Sequence, residues 1–446
     1  MQLNKLRCLG VLVLFLGGVL LVGCGNGNGT GSDAGSDAGS DAGGDENVTY
    51  QWEQLGGQVS PAGAESEDPT MLVIGTSPAV GYRHQSFRTH LNIYDGSTWG
   101  TTQPDPSANN TNSSIYSTPD FCTRGQDVFM AYSHAGDATA NDDTFYDRIF
   151  VYHWSQASGW TQQNGGAEVS VIWSDPPGGV DAWEPAIACP PSGDPRVAWV
   201  EADVVPDPDT ENGSWVAEVA SGGSTRSSIL SRNNTDGSYA TDVRTLGLAI
   251  DSSGFPIVAQ WEQDQTEQWL TNLYVSRYSA GNFVNLGDSI ADDWDSNNLP
   301  VPSVVADGSV VYVAYSEANS TDDTRHIYVK RYTGTWETVG SGPVSAFSAS
   351  DHYDSNNPDL LMVDGQLWLA WQESNQYDGY FIYVAYFNSA LSEWVIDGDQ
   401  LNVDLANSAA DPSLAYSAGD GYLHVAFEEN TDGHPHIFVK RKRINP

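Results

Sequence analysis

Apolar and polar residues alternate along much of this chain, and one five-residue order recurs in it. The order is an aliphatic residue, Ala, an aromatic residue, any residue and an acid. Unchanged copies are Val197–Glu201, Val313–Glu317, Leu369–Glu373 and Val425–Glu429, and Val258–Glu262 is a copy whose aromatic is displaced by one position. Such short alternating runs, rich in β-branched and aromatic residues, predict β-strands.

Two earlier segments keep the same frame but have His in the place of the acid: Val80–His84 and Met130–His134. The central alanines of the second to seventh copies are 67, 61, 55, 56 and 56 residues apart, and Gly81 precedes Ala131 by 50. A period of this size, built from strand-like pieces, predicts sheets that are stacked or arranged radially.

The clearest repeat, Pro358 to Asn402, contains four strand-like segments: Asp359–Val363, Gln366–Glu373, Tyr380–Phe387 and Glu393–Asp399. Asp364-Gly365 between the first two is a strong hairpin signal. No segment has a long helical period. Seven such repeats predict an all-β fold, a seven-bladed β-propeller with four antiparallel strands in each blade.

The two ends of the repeat array complement each other. The seventh repeat has only three strands, and Tyr50–Gly56 supplies the pattern of a fourth, with Trp52-x-x-Leu55-Gly56 matching Trp336-x-x-Val339-Gly340. We expect Tyr50–Gly56 to complete the last blade and close the ring, so that no sheet edge stays open. The third repeat is the least regular and the one most able to change the blade count.

Residues 1–23 have the pattern of an export signal, with Lys5 and Arg7 before the apolar run Val11–Leu21. The run is shorter than a membrane-spanning helix needs. The closing Leu21-Val22-Gly23-Cys24 resembles the lipobox of bacterial lipoproteins. That resemblance implies a lipid such as palmitate on Cys24, which would anchor the protein in the outer membrane or at the cell surface, extracytoplasmically.

Residues 24–46, with a triplicated Gly-Ser-Asp-Ala, lack the apolar residues that a core requires and predict a disordered tether. Residues 47–446 remain as the propeller domain. The formal net charge of −40 argues against nucleic acid or an anionic surface as the main partner. Cation binding, a cationic partner, or solubility in a salty habitat each account for it.

Two cysteines remain beyond the signal and the lipobox. Cys122 and Cys189 each lie nine residues before the central alanine of their repeat, and so occupy equivalent places in adjacent blades. Because exported compartments are oxidising, we expect a disulfide between them. Two separate buried thiols are the alternative.

The acids of the recurring pattern stand where second strands end, so we expect them near one face of the propeller, together with polar loops. The candidate binding residues there are Glu201, Glu262, Glu317, Glu373, Glu429, Trp183, Trp294, Asp295, Tyr353 and Asp354. Such a ring suits sugars, and also calcium, which takes six to eight oxygens. The favoured alternative is structural: each acid recurs because it accepts backbone N–H bonds from its own loop.

His84 and His134 break the symmetry of the pattern and are further candidates. Two histidines in adjacent blades suit a metal or an anionic group. Two surface histidines without a ligand are the alternative.

Enzyme motifs are few. The sequence contains no Gly-x-Ser-x-Gly, His-Glu-x-x-His or P-loop motif. Asp95-Gly96-Ser97-Thr98-Trp99 resembles part of the Asp-box of sialidase-like propellers, although the leading Ser is missing and Gly follows Asp directly. Residues 50–446 as a whole resemble bacterial propeller lipoproteins of kelch-like or sialidase-like architecture, with no specific family.

These observations predict a monomeric, lipid-anchored binding protein that recognises a glycan or a protein on one face of its propeller. The alternatives are an extracytoplasmic glycoside hydrolase, sialidase or lyase, and a structural propeller stabilised by calcium. Paired carboxylates for glycoside hydrolysis are compatible with so acidic a chain.

Overall fold

The structure is a computed structural model, and it describes residues 50–63, 65–84, 88–101, 118–135, 147–163, 181–202, 212–220, 223–229, 243–263, 270–293, 299–318, 324–347, 352–375 and 379–444. The export signal, the tether and the predicted lipid site Cys24 lie outside these ranges. By its internal contacts the chain divides into residues 1–49 and 50–446. Within the described ranges there is no helix, and hence none long and apolar enough to span a membrane.

Seven antiparallel sheets make up an all-β propeller, and each sheet is one blade. After β1 (Glu53–Gln54), blade 1 contains β2 (Ser66–Ile74), β3 (Ser77–His84), β4 (Arg88–Tyr94) and β5 (Trp99–Thr101). Blade 2 contains β6 (Asp120–Arg124), β7 (Asp127–Ala135), β8 (Asp147–Ser155) and β9 (Gly159–Gln162). Blade 3 contains β10 (Asp181–Ala188), β11 (Arg196–Ala202), β12 (Asn212–Ala220) and β13 (Gly223–Ile229).

The remaining blades follow in chain order. Blade 4 contains β14 (Val243–Ile250), β15 (Pro256–Gln263), β16 (Thr271–Ser279), β17 (Asn282–Asn285) and β18 (Ala291–Asp293). Blade 5 contains β19 (Ser303–Asp307), β20 (Val310–Ala318), β21 (Arg325–Tyr332) and β22 (Trp336–Thr338). Blade 6 contains β23 (His352–Val363), β24 (Gln366–Asn375), β25 (Gly379–Asn388) and β26 (Glu393–Ile396). Blade 7 contains β27 (Ala409–Ser417), β28 (Tyr422–Thr431) and β29 (His434–Arg443), with β1 at its outer edge.

The prediction of four strands in every blade is confirmed for six blades and wrong for blade 4, which has five. In blade 4, β17 and β18 both pair with β16, at its two ends. Because β16 is longer than β17, part of β16 is left without a partner in β17. The chain that leaves β17 turns back and pairs with that part as β18. Blade 5 shows the same return as a single bridge, Ile327 to Val344.

The N-terminal strand completes the last blade, as predicted. Glu53 and Gln54 of β1 pair with Arg441 and Lys440 of β29. The N–H of Leu55 then donates to the carbonyl of Val439 at 2.9 Å. The innermost strands β2, β6, β10, β14, β19, β23 and β27 each contact the next one, and β27 contacts β2. The ring is therefore closed around a central channel.

The recurring pattern is the second strand of each blade, and both of its faces are buried between neighbouring blades. Its alanines Ala131, Ala198, Ala259, Ala314, Ala370 and Ala426 are fully buried. Blade 1 has Gly81 instead, because a Cβ there would overlap the Phe121 ring of blade 2. The small residue at this position thus lets adjacent blades pack closely.

The predicted disulfide between Cys122 and Cys189 is confirmed. It joins β6 of blade 2 to the residue that follows β10 of blade 3, with a Cα–Cα distance of 5.6 Å. The equivalent places of the two cysteines in the repeat bring them together, since the innermost strands of adjacent blades are neighbours.

Candidate functional site

The acids that end the recurring pattern accept hydrogen bonds from neighbouring side chains and, in blades 5 to 7, from a loop about 25 residues earlier in the chain rather than from their own loop. Glu373 is fully buried and accepts the backbone N–H of Ala346 at 2.8 Å and the indole N–H of Trp371 at 2.7 Å. Glu429 is equally buried and accepts the N–H of Asp404 at 2.8 Å. Each carboxylate therefore holds the loop that leads into its own blade.

The other three acids have similar partners. Glu201 accepts the indole N–H of Trp199 at 2.7 Å, and Glu317 accepts the N–H of Asp292 at 3.3 Å. In the copy with the displaced aromatic, Gln260 stands in the register of the aromatic and donates to Glu262 at 2.6 Å. The displaced copy thus keeps a donor for its acid.

His84 is buried, so the alternative of a surface histidine does not hold for it. Its Nδ1 lies 2.7 Å from Ser66 Oγ, and its ring packs edge-on against His90, with 4.8 Å between the centroids. Burial, reinforced by His90, lowers the pKa of His84 to about 4, so the ring is neutral at pH 7. His134 lies in β7, and its side chain is outside the described part of the structure.

Of the predicted loop aromatics, only Trp183 has a side chain within the described part of the structure. Trp183 is partly buried and packs into the core between blades 3 and 4. Asp354 accepts the N–H of Arg325 at 2.8 Å from the neighbouring blade. Trp294, Asp295 and the side chain of Tyr353 fall outside the described residues.

A cavity of about 460 Å³ lies in the central channel. All seven innermost strands contribute to its wall. Its polar lining includes Asp68, Glu184, Asn357 and Asp411, each directly before a proline, and Asp120, Ser303, Asp359 and Ser413, each directly after one. A cavity of this size falls in the ordinary range for small-molecule sites.

The residues at the channel mouth share an unusual backbone. Asp68, Glu184, Asn357 and Asp411 have φ values of 55°, 51°, 49° and 50°, in the left-handed region. Each precedes a proline, and the register of its strand shifts there, as in a β-bulge. Non-glycine residues in this region are strained, and bulges of this kind re-aim side chains. Here the bulges set four polar side chains around one opening.

Deeper in the channel, polar side chains fasten four of the blades to the next. Asp120 accepts the N–H of Ile187 at 2.7 Å, and Asp359 accepts the N–H of Leu414 at 2.7 Å. Ser303 and Ser413 make the same kind of bond to Leu360 and Met71, at 2.9 and 3.0 Å. In every case a side chain of the innermost strand accepts from the innermost strand of the following blade.

Carboxyl groups crowd the mouth at the junction of blades 7 and 1. Arg83 pairs with Glu67 at 2.6 Å and with Asp68 at 2.8 Å. Glu428 lies near Asp68, and its Oε2 is buried and has no hydrogen-bond partner among the described residues. Asp411 accepts from Asn357 Nδ2, and its own N–H donates to Gln372 at 2.9 Å.

The close packing of these carboxyl groups raises the pKa values of several of them. Burial, with the charge of Asp68 added, raises the pKa of Glu184 to about 7. Burial and the charges of Asp68 and Glu67 also raise the pKa of Asp411 to about 7, against the opposing effects of Asn357 and Arg83. The pKa of Glu428 is raised well above its usual range by burial and by Asp411. Several mouth carboxyls are therefore partly protonated near pH 7 and can donate as well as accept hydrogen bonds.

Sequence reasoning did not single out the residues that line this cavity. It selected the acid that ends each second strand, whereas Glu428 and Arg83 occupy the variable position just before it. Because neighbouring strand residues point to opposite faces, the variable position faces the next blade's channel residues. The sequence feature that marks these positions is a polar residue followed by proline. It occurs as Asp68-Pro69, Glu184-Pro185, Asn357-Pro358 and Asp411-Pro412.

The described residues do not form a calcium site. Within the ranges the structure describes, no group of three or more Asp, Glu, His or Cys side chains is arranged to hold a metal ion.

No protein-family model and no curated protein matches the chain. Among solved structures, a protein of unknown function from Dyadobacter fermentans is 13% identical, with a TM-score of 0.48, over 85% of this chain and 100% of its own. Trypanosoma rangeli sialidase in complex with the inhibitor DANA is 11% identical, with a TM-score of 0.47, over 85% of this chain.

A mutant of AofleA from Arthrobotrys oligospora is 11% identical, with a TM-score of 0.42, over 81% of this chain and 93% of its own. The chain spans only 55% of the length of the Trypanosoma rangeli sialidase. Likeness at this level concerns the propeller fold alone and indicates no specific family.

Proposed function

We propose that this protein is a lipid-anchored cell-surface binding protein whose seven-bladed propeller recognises the end of a glycan at the mouth of its central channel. The observation that carries the proposal is the convergence of Asp68, Glu184, Asn357 and Asp411, from four different blades, on one cavity of about 460 Å³. No single blade forms the site, so it exists only in the closed ring.

The chemistry of the lining fits a ligand rich in hydroxyl groups. Carboxylates accept hydroxyl hydrogen bonds, and the Asn357 amide both donates and accepts. Carboxyls with raised pKa values add donors at neutral pH. Proline rings at six of the seven mouth positions supply the apolar contacts that usually complete a small-molecule site.

The cellular setting rests on the sequence. The lipobox ending in Cys24 supports a lipid anchor, and residues 24–46 support a long reach from the membrane. An extracytoplasmic position also agrees with the disulfide between Cys122 and Cys189. A single propeller with closed edges supports a monomer.

A glycan array probed with the mature protein in detergent tests the proposal. We expect binding to a restricted set of glycans and its loss in Asn357→Ala, because that amide lines the mouth and contacts Asp411. The matched control is Asn388→Ala, which removes an amide at the end of β25, away from the cavity. Silence of the wild-type protein on every glycan would redirect the proposal to a protein ligand.

Glycoside hydrolysis is a second candidate, favoured by one observation. Glu184, whose pKa is raised to about 7, and Asp68, which is ion-paired with Arg83, line the same cavity. A protonated acid and a carboxylate flanking one bond are what a glycosidase requires. Release of reducing sugar from a bound glycan, and its loss in Glu184→Gln with binding retained, would establish this activity.

A further inference from the structure

Histidines are concentrated at the junction where the ring closes. Five of the nine in the chain stand on the two blades that meet there: His84 and His90 on blade 1, and His424, His434 and His436 on blade 7. The two blades pack together through β2, which contacts β27, β28 and β29. Because histidine has an ordinary pKa near neutral pH, this junction concentrates groups that change charge on mild acidification.

The segment that leads from β1 into β2 joins blade 7 to blade 1. The N–H of Val59 donates to the carbonyl of Ile437 in β29 at 2.8 Å, and the carbonyl of Val59 accepts from Asn92 Nδ2 of blade 1 at 2.7 Å. Three histidines contact the same segment. They are His84, with Nδ1 2.7 Å from Ser66 Oγ, His436, with Nδ1 3.1 Å from Gln58 Nε2, and His434, with Nδ1 3.6 Å from Glu65 Oε1.

Two of the histidines lie inside the interface, one from each blade. His84 is 7% exposed and shares its face of β3 with Tyr82, which packs in one apolar cluster with Ala426 of blade 7. His424 is fully buried and shares its face of β28 with the same Ala426. Neither ring nitrogen of His424 has a hydrogen-bond partner among the described residues. Both rings therefore stand where a charge has little access to water.

The surroundings on blade 1 favour neutral histidines. Burial lowers the pKa of His84 to about 4. His90, Arg88 and His436 act in the same direction, and the carbonyl of Glu65 acts against them. Burial and Arg88 also lower the pKa of His90, whose ring centroid lies 4.8 Å from that of His84.

The surroundings on blade 7 favour a neutral His424. Burial lowers its pKa to about 4, and Arg441 adds to this effect. Asp420 and the carbonyls of Tyr422 and Ala415 oppose the shift without cancelling it.

Two acids at the rim of the junction act in the opposite sense. Asp432 lies 3.1 Å from His436 Nε2, and Glu65 faces His434, so both pairs strengthen when the histidine is charged. Both carboxylates are exposed, and exposed ion pairs contribute little to stability. The buried rings of His84 and His424 therefore decide how the junction responds to acid.

We propose that this junction is an acid-sensitive closure: when His84, His90 and His424 take up protons, blade 7 separates from blade 1 and the ring opens there. The closed junction has no compensation for these charges. Charged His84 and His90 would stand side by side next to Arg88, and charged His424 would be buried near Arg441. Opening exposes each ring to water, which removes this penalty.

Acid weakens the closure over a defined range of pH. The ordinary pKa of histidine, 6.5, applies once a ring is exposed, so the open state binds protons more tightly than the closed state. The closed junction keeps its full stability above pH 6.5 and loses it as the pH falls toward 4. Each of His84 and His424 shifts the equilibrium on the order of 100-fold toward opening, since one unit of pKa is a factor of ten.

Hydrogen–deuterium exchange of the mature protein in detergent tests the proposal at pH 7 and at about pH 4.5, with rates corrected for the intrinsic effect of pH on amide exchange. We expect peptides from β27–β29 to lose at least about tenfold of their protection at the lower pH, whereas peptides from β15 and β16 of blade 4 keep theirs. Unchanged protection of β27–β29, or an equal loss in every blade, would overturn the proposal.

The variants His84→Gln and His424→Leu assign the effect to the buried rings. Each should move the midpoint of the loss to lower pH, because one proton fewer is taken up on opening. His153→Gln is the matched control, since it removes a histidine of blade 2 that pairs with Asp127, and it should leave the midpoint unchanged. Exchange at pH 7 shows that each variant is folded. A midpoint that stays in place in both junction variants would overturn the proposal even if the wild type opens locally.

Discussion

The indole N–H of Trp371 donates a 2.7 Å hydrogen bond to Glu373, two residues further along the same strand. Trp199 and Glu201 repeat this bond at the same length. Residues two apart on a strand share a face, so the order aromatic, any residue, acid forms a local donor–acceptor pair. In Glu373 and Glu429 the acid also accepts hydrogen bonds from the loop that precedes its blade. The recurring pattern therefore attaches that loop to the blade.

Replacing Glu373 by Ala should destabilise the fold strongly. The change removes the acceptor for Trp371, Ser345 and the N–H of Ala346, all at a fully buried site. We expect a loss of about 3–5 kcal/mol in the free energy of unfolding, because several buried donors lose their partner. Urea denaturation measures it. Glu393→Ala on an exposed strand should stay within about 0.5 kcal/mol, and a similar small effect for Glu373→Ala would contradict the loop-holding role.

The bonds between blades should also contribute to stability. Asp359→Ala removes the acceptor for Leu414 of blade 7 and for Ser303 of blade 5. We expect a loss of about 2–3 kcal/mol, since the Leu414 N–H becomes unsatisfied. The exposed Asp399→Ala is the control for the lost charge. Equal unfolding midpoints in urea for the two variants would show that these bonds do not hold the ring.

The pH dependence of stability should change in Glu184→Gln. The folded pKa of Glu184, about 7, exceeds its ordinary value of 4.5, so the folded state binds the proton more tightly than the unfolded state. Stability from this group is complete below pH 4.5 and falls as pH rises toward 7. The variant should match the wild type at pH 4 and be more stable by about 2 kcal/mol at pH 8. Melting curves at both pH values measure this, and a constant difference between them would contradict it.

Loss of the disulfide should weaken the whole domain. Changing Cys122 and Cys189 together to Ser removes a cross-link that spans 67 residues of sequence. The expected cost is about 4 kcal/mol, from the greater freedom of the unfolded chain. Chemical denaturation with and without reductant provides the measurement. Reductant should lower the stability of the wild type to that of the variant and should leave the variant unchanged.

Deleting residues 50–56 should open the ring. The deletion removes the Trp52 indole bond to the Asp397 carbonyl at 2.9 Å, the Glu53–Arg441 ion pair at 2.7 Å and the pairing of Leu55 with Val439. The freed edge of β29 would then pair between molecules. Light scattering should detect oligomers of this variant, whereas a chain that begins at residue 47 should remain monomeric. A monomeric deletion variant would contradict this view of ring closure.

Much of the fold follows from periodicity alone. The spacing of the alanines, the turn at Asp364-Gly365 and the matching Trp52 and Trp336 segments predicted the blades and the closure by the N-terminal strand. The equivalent places of Cys122 and Cys189 predicted the disulfide. The fifth strand of blade 4 was not predictable, because it depends on how far the chain follows β16 after β17.

The sequence by itself determined the repeat, the strands and the pairing of each aromatic with the acid two residues later, because these depend on neighbours a few residues apart. Only the tertiary structure decided which polar residues meet. Asp68 and Asp411 are more than 300 residues apart in the chain, yet they line one cavity because blade 7 packs against blade 1. Glu428 belongs to the cluster of carboxyl groups at that junction because its side chain points to the opposite face of β28 from that of Glu429. The two neighbouring acids of β28 therefore differ: Glu429 holds a loop, and Glu428 lies near Glu67 and Asp68 of blade 1.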